Sequence, residues 1–225
     1  PDLNNLIEAV NLLLSSSGTF VFEEPYLGSM FKKVSYDQIY DEHIYMFSAS
    51  SVKRIYEKHN LMLVDAIPQN THGGSMRYII KKNLNQKITG RLKKILHKEK
   101  RENVDNFKGC LIFKSKVEKS KKKLVNMILK MKSKKLKICG YGATSKSTTI
   151  LNYCKIDHNL IDCIFDTTKD KIGKFSPGMH IPITDYKLFK KSNYKNIFLF
   201  AWNHKKEIFK KEKHLKKIKW FTHLN

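Results

Sequence analysis

Apolar positions along the chain change their period several times, and each change marks a new element. Leu3, Leu6, Ile7, Val10 and Leu13 recur at three- and four-residue intervals, so the chain opens with an amphipathic helix. Ser15 to Gly18 reads as a turn, and Thr19 to Pro25 as a strand stopped by proline. A helix feeding a strand at the very start of an α/β unit implies that the chain begins in the middle of a sheet. Tyr26 to Val34 is loop or short helix. Ser48 caps a helix through His59, and Leu61 to Ile67 and Met76 to Ile80 are strands. The connection between those strands carries Gly73-Gly74, which predicts an antiparallel pair at a sheet end, and this first unit closes near Lys82.

From Asn85 to Met131 lysines alternate with apolar residues at helical intervals, as in Leu92, Ile95 and Leu96 and again in Leu124, Met127 and Ile128. Two connecting helices follow, with Lys116 to Lys123 as a solvated face. Beyond Leu136 the period shortens. Ile138-Cys139 runs into Gly140-Tyr141-Gly142-Ala143 and then a helical stretch, the strand, turn and helix that lets backbone N–H groups face a phosphate. Gly140 is expected to permit the turn and Gly142 to let a ligand approach the backbone. Ser145 stands where a dinucleotide fingerprint has its third glycine. Lys146 falls in the first helical turn, where the helix dipole disfavours a cation unless an anion is near. A second strand ends at Asp166, the place for a carboxylate that meets a sugar hydroxyl, and a buried strand from Asn196 ends in Trp202-Asn203-His204. Strands alternating with helices at this spacing predict an α/β fold with a small doubly wound parallel sheet. Its ligands bind beyond the strands' carboxyl ends, where Gly140, Asp166, Trp202 and Asn203 converge. The expected organisation is residues 1–82, a helical connector 83–133, and a Rossmann-like domain 134–225.

One stretch has no period. Between Tyr36 and Ser48, Asp37, Asp41, Glu42, His43 and three tyrosines are packed among Ile39, Ile44, Met46 and Phe47, a mixture that suits a partly buried polar site better than a solvated loop.

Composition narrows the classes. With 225 residues and 41% apolar content the chain can bury a core, and its net charge of +24 raises nucleic acid as a partner. The bias is nearly all lysine, however, with arginine only at positions 54, 77, 91 and 101, spread along the chain without a helix-turn-helix, zinc-finger or RNP-like pattern. That argues against a nucleic-acid interface. Cys110, Cys139, Cys154 and Cys163 form no C-x-x-C pair and read as free thiols in a reducing compartment. No apolar run reaches the ~18–20 residues needed to span a membrane, and the first residues lack a signal-peptide pattern. The expected location is cytoplasmic, with no membrane partner.

Several segments then act together. Tyr40-Asp41-Glu42-His43 with Phe47-Ser48, Thr71-His72-Gly73-Gly74-Ser75, Gly140-Tyr141-Gly142-Ala143 with Lys146, Asn152-Tyr153, Gly173-Lys174 with Pro177-Gly178, His180-Ile181-Pro182, and Ala201-Trp202-Asn203 with Glu207-Ile208 resemble the S-adenosylmethionine-dependent sugar C-methyltransferases, over nearly the whole chain and in order. The resemblance implies the rear part of a methyltransferase sheet followed by a Rossmann-like domain that holds a nucleotide, TDP above others, linked to a 4-keto deoxysugar. It also implies a zinc domain and a cofactor-binding front half, neither of which this sequence contains. The chain is therefore expected to be a fragment, or a separately encoded half that needs an N-terminal partner. No residue here is assigned to S-adenosylmethionine or to zinc. By resemblance His43 is the base that removes the proton beside the ketone, and the resulting enolate attacks the methyl sulfonium. Glu42 and Tyr40 orient His43 or stabilise the oxyanion. Asp41 stands where relatives commonly have another histidine. His72 and Gly73 are candidates for substrate contact. Gly140, Tyr141, Gly142, Ala143, Ser145, Lys146, Asp166, Lys174, Trp202 and Asn203 are candidates for the nucleotide, with Lys171 as an alternative cation. Two other readings compete: a nucleotide- or NAD-binding module without methyl transfer, and a basic nucleic-acid-binding protein.

Overall fold

The computed structural model describes residues 2–82, 85–215 and 217–224. Its contacts divide the chain into two units, residues 1–33 with 45–114, and residues 34–44 with 115–225.

In the first unit α1 (Leu3–Leu13) begins at Asp2, whose carboxylate accepts the Asn4 amide at 2.9 Å. β1 (Thr19–Pro25) and α2 (Leu27–Lys33) follow. α3 (Ala49–Glu57) starts at Ser48 with a capping box closed by Ser51. Next come β2 (Leu61–Gln69), β3 (Ser75–Lys82) and α4 (Gly90–Arg101). The three strands form an antiparallel sheet in the order β1-β3-β2, with Pro68 tolerated because β2 is an edge. The antiparallel pairing of β2 and β3 is as the Gly-Gly connection predicts. Ile7, Val52, Tyr56, Leu61, Leu63, Met76, Tyr78, Ile80 and Leu92 fill the core, bringing α1, α3 and α4 onto that sheet.

The second unit takes most of α5 (Phe107–Ser133), whose Val117, Leu124 and Ile128 are buried while Lys116, Lys119, Lys122 and Lys123 stay exposed. β4 (Ile138–Tyr141), α6 (Ser145–Cys154), β5 (Cys163–Asp166), β6 (Ile183–Asp185), α7 (Tyr186–Phe189), β7 (Asn196–Leu199), α8 (Lys205–Lys211) and β8 (Lys219–Phe221) complete it. All five strands are parallel, in the order β6-β5-β4-β7-β8. This is the doubly wound sheet the alternation predicts, and the chain reverses direction across it at β4, between β5 and β7. Residues 34–44 belong to this unit although 70 residues of the first unit follow them in sequence. Among the described residues no helix is long and apolar enough to cross a membrane. The four cysteines are free, Cys139 buried in β4 and Cys110 exposed on α5.

Candidate functional site

The turn after β4 differs in detail from the expected one. Gly140 lies within the strand, where an added Cβ would sit 2.5 Å from the Phe200 ring, so its hydrogen makes room for packing. Gly142, at φ +89°, is the residue that turns the chain. The Gly142 amide donates to the Phe165 carbonyl (2.9 Å), and the Ala143 amide donates to Asp166 Oδ2 (2.6 Å). Asp166 Oδ1 also accepts the Thr168 amide at 2.7 Å. The carboxylate thus clamps two loops together, with lone pairs left for a hydroxyl. Thr144 caps α6 by accepting the Ser147 amide at 3.2 Å, which leaves the amides at 145 and 146 among those that no helical carbonyl can reach.

Two cavities open along these strand ends. One of about 380 Å³ is lined by Gly142, Asp166, Thr168, Ala201, His204 and Lys211, and Tyr141 also reaches it. Tyr141 is otherwise buried, its hydroxyl donating to Glu212 at 2.9 Å, and burial raises it above the ordinary phenol range. A neighbouring cavity of about 240 Å³ is lined by Ala143, Thr144, Ser145, Lys171 and Lys174. Lys171 Nζ donates to the Ala143 carbonyl at 2.8 Å and faces both cavities.

Lys146 is not among those walls. Only 6% of it is exposed, its ammonium lies 5.2 Å from the Trp202 ring centroid, and burial lowers its pKa against the opposing pull of Asp37. Trp202 is buried too, and its indole N–H donates to Asp37 Oδ2 at 2.5 Å. Asn203 follows it, half-buried. Asp37 has no exposed surface, and its Oδ1 meets His223 Nε2 at 3.1 Å. Sequence reasoning placed Asp37 in a polar stretch but gave it no role, named His204 only as the polar end of a strand, and missed His223 and Thr168. The lack of period around Asp37 was the one available signal.

Residues 34–44 are pinned to the second unit at further points. Thr149 Oγ1 donates to the Ile39 carbonyl (3.2 Å), Tyr36 OH lies 3.6 Å from Cys154 Sγ, and Ser145 Oγ donates to Glu42 Oε1 (3.4 Å). The Tyr40 and His43 rings meet edge to face with centroids 4.9 Å apart, and the His43 amide closes a turn on the Tyr40 carbonyl at 3.0 Å. His43 is half-buried and Glu42 exposed. Tyr40, Glu42 and His43 therefore stand at the N-terminus of α6, beside the Gly142 turn. His72 and Gly73 lie in the first unit, on a turn where His72, Gly73 and Gly74 all take positive φ and Lys33 Nζ donates to the Gly73 carbonyl. His72 is exposed and Gly73 buried.

The family profile for the C-methyltransferase C-terminal domain matches residues 70–222, and the chain belongs to that family. It is 28% identical over 214 residues to the C-methyltransferase NovU of Streptomyces niveus, a match covering 95% of this chain and 51% of that protein. The chain thus spans about half the length of the curated relative it matches.

Proposed function

We propose that this chain forms the substrate-holding and proton-abstracting part of a C-methyltransferase acting on a nucleotide-linked 4-keto deoxysugar. The observation that carries the reading is the Ser145–Glu42 hydrogen bond, which joins the segment bearing His43 to the turn at the mouth of the crevice. In this reading the amides at 145 and 146, with Lys171 and Lys174, take the pyrophosphate. Asp166 and Thr168 face the nucleoside. The sugar then reaches out towards residues 40–43. His43 takes the proton from the carbon beside the ketone, and Tyr40 and Glu42 hold the imidazole and the developing enolate in place. Lys146 and Trp202, which are turned inward, support the site without touching the nucleotide.

The methyl donor of such enzymes is S-adenosylmethionine, which needs a glycine turn at a strand's carboxyl end and an acid for its ribose. The described strands of the first unit are antiparallel, and the glycine turn of the second is the proposed nucleotide cradle. The described residues do not fit the donor. We assign the donor to residues outside this sequence, whether of the same polypeptide or of a partner, and the location to the cytoplasm.

The test is calorimetry with a TDP-linked 4-keto sugar, NAD and S-adenosylmethionine, followed by exchange of the substrate's α-hydrogen with deuterated solvent. The sugar nucleotide binds and the other two do not. His43→Asn slows exchange at least ~100-fold, the scale of general base catalysis, and leaves nucleotide affinity unchanged. Tight NAD binding would favour the module without methyl transfer. Equal exchange in wild type and His43→Asn would remove the base assignment.

A further inference from the structure

Four residues far apart in sequence meet out of solvent in the second unit: Asp37, Lys146, Trp202 and His223. A carboxylate without exposed surface is costly unless its partners compensate, and Asp37 has an indole N–H on one oxygen and an imidazole nitrogen on the other. Those donors follow β7 and β8 directly, so both report where the carboxyl ends of these strands lie. Two of the four also adjoin the crevice in sequence: Trp202 is next to Ala201, which lines the larger cavity, and Lys146 is next to Ser145, which lines the smaller one and donates to Glu42.

We propose that Asp37 is a positioning residue, one that ties residues 34–44, and through them His43, to the strand ends that form the crevice. The inference rests on the proposed role of His43 but reaches a residue that role does not include. An apolar residue at 37 could fill the same volume, but it could not select one register. Two directional hydrogen bonds to side chains that follow different strands do select one, because a shift of the segment along α6 breaks both. The bonds from Thr149 to Ile39 and from Ser145 to Glu42 are weaker restraints, being longer and more exposed. Asp37 sets the register, and the other contacts follow it.

The test compares the wild-type chain with Asp37→Asn and Trp202→Phe. The second keeps the aromatic volume and removes only the N–H donor, so it carries the test should Asp37→Asn fold poorly. Amide hydrogen exchange, read by mass spectrometry on peptides covering 34–44, is expected to speed at least tenfold in both variants, with β4, β5 and β7 unaffected. Substrate α-hydrogen exchange is expected to fall about 100-fold in maximal rate, with half-saturation by the sugar nucleotide changed less than threefold. A purely structural role would move both parameters together or neither. Unchanged protection of 34–44 in both variants overturns the proposal, as does lost protection with an undiminished maximal rate. If the wild type shows no substrate exchange at all, the functional reading fails, while the protection measurement still decides whether Asp37 holds the segment.

Discussion

Among the described residues each unit buries one carboxylate completely, and the two carboxylates are used differently. In the first unit Glu99, on α4, accepts the Tyr26 hydroxyl (2.9 Å), the Ala49 amide (2.7 Å), and the Ser50 amide and hydroxyl (2.8 and 2.5 Å). Three of its four donors belong to the first turn of α3. There the charge answers the helix dipole and the amides that no helical carbonyl can reach. In the second unit Asp37 accepts two side-chain donors that follow different strands, and one of them, Trp202, is next to a residue that lines the crevice. Both carboxylates are fully buried with each oxygen hydrogen-bonded, Glu99 by four donors and Asp37 by two. The partners separate them: Glu99 serves one helix terminus, whereas Asp37 links distant segments that border the candidate site.

The largest effect should come from the first of these. Glu99→Leu leaves four buried or half-buried donors without an acceptor. At ~1–3 kcal/mol for each one that water cannot reach, the loss is expected to be at least about 3 kcal/mol. Both tryptophans, Trp202 and Trp220, lie in the second unit, so their fluorescence reports that unit alone. Amide exchange over 49–57 and β2–β3 should accelerate well before the tryptophan transition moves. If 49–57 keeps its protection, Glu99 is not the cap it is taken to be here.

A smaller effect separates the two glycines of the turn. Gly140→Ala puts a methyl 2.5 Å from Phe200 and 3.0 Å from Ile164 Cγ1, in a buried strand. Overpacking of this kind costs ~1–3 kcal/mol, so thermal stability should drop, with sugar-nucleotide affinity following only the folded fraction. Gly142→Ala meets Ala201 Cβ at 3.2 Å, and its φ of +89° strains any side chain, at a cost of ~1 kcal/mol. Because Gly142 lines the cavity, its variant should lose more affinity than stability. The same ratio of affinity loss to stability loss in both variants would break the distinction between packing glycine and crevice glycine.

These positions show how much the sequence could reveal. Period and turn residues located the antiparallel pair, the parallel sheet and the existence of a glycine turn after β4, because each is encoded within about ten residues. The strand-turn-helix pattern assigned the turn to Gly140, since nothing local announces that the ring of Phe200, sixty residues later, needs its space. Asn152 and Gly178 were visible as parts of a resemblance. Their reason is a contact: Asn152 Nδ2 donates to the Pro177 carbonyl at 2.9 Å, and its amide occupies the place of a Cβ at Gly178. The membership of residues 34–44 in the second unit and the Asp37 cluster were illegible for the same reason. Their partners lie more than one hundred residues away, and a single buried acid leaves no periodic trace.

The smallest effect tests a third carboxylate against the first two. Asp65 follows an irregularity in the β2–β3 register, and its Oδ1 accepts the Ala66 amide (2.8 Å), the Thr89 hydroxyl (2.7 Å) and Arg91 Nε (3.1 Å). Arg91 Nη2 reaches the other oxygen. Burial alone would raise its pKa, but the hydrogen bonds from Arg91, Thr89 and Ala66 outweigh that and hold the carboxyl below the usual aspartate range. The sign follows. A depressed folded value contributes stability that is complete above the unfolded value, ~3.9, and is lost as pH falls through the lower folded one. The Arg91 side chain is 49% exposed against 9% for Asp65, so water and salt screen the pair, and Asp65→Asn should cost only about 1 kcal/mol at neutral pH. The gap between wild type and Asp65→Asn, measured by urea denaturation, should narrow as pH is lowered below about 4 and shrink with added salt at pH 7. A gap that stays constant down to pH 3 would mean that Asn fails through shape, as a packing residue would, and Asp65 would then stand with Gly140 and not with the buried acids.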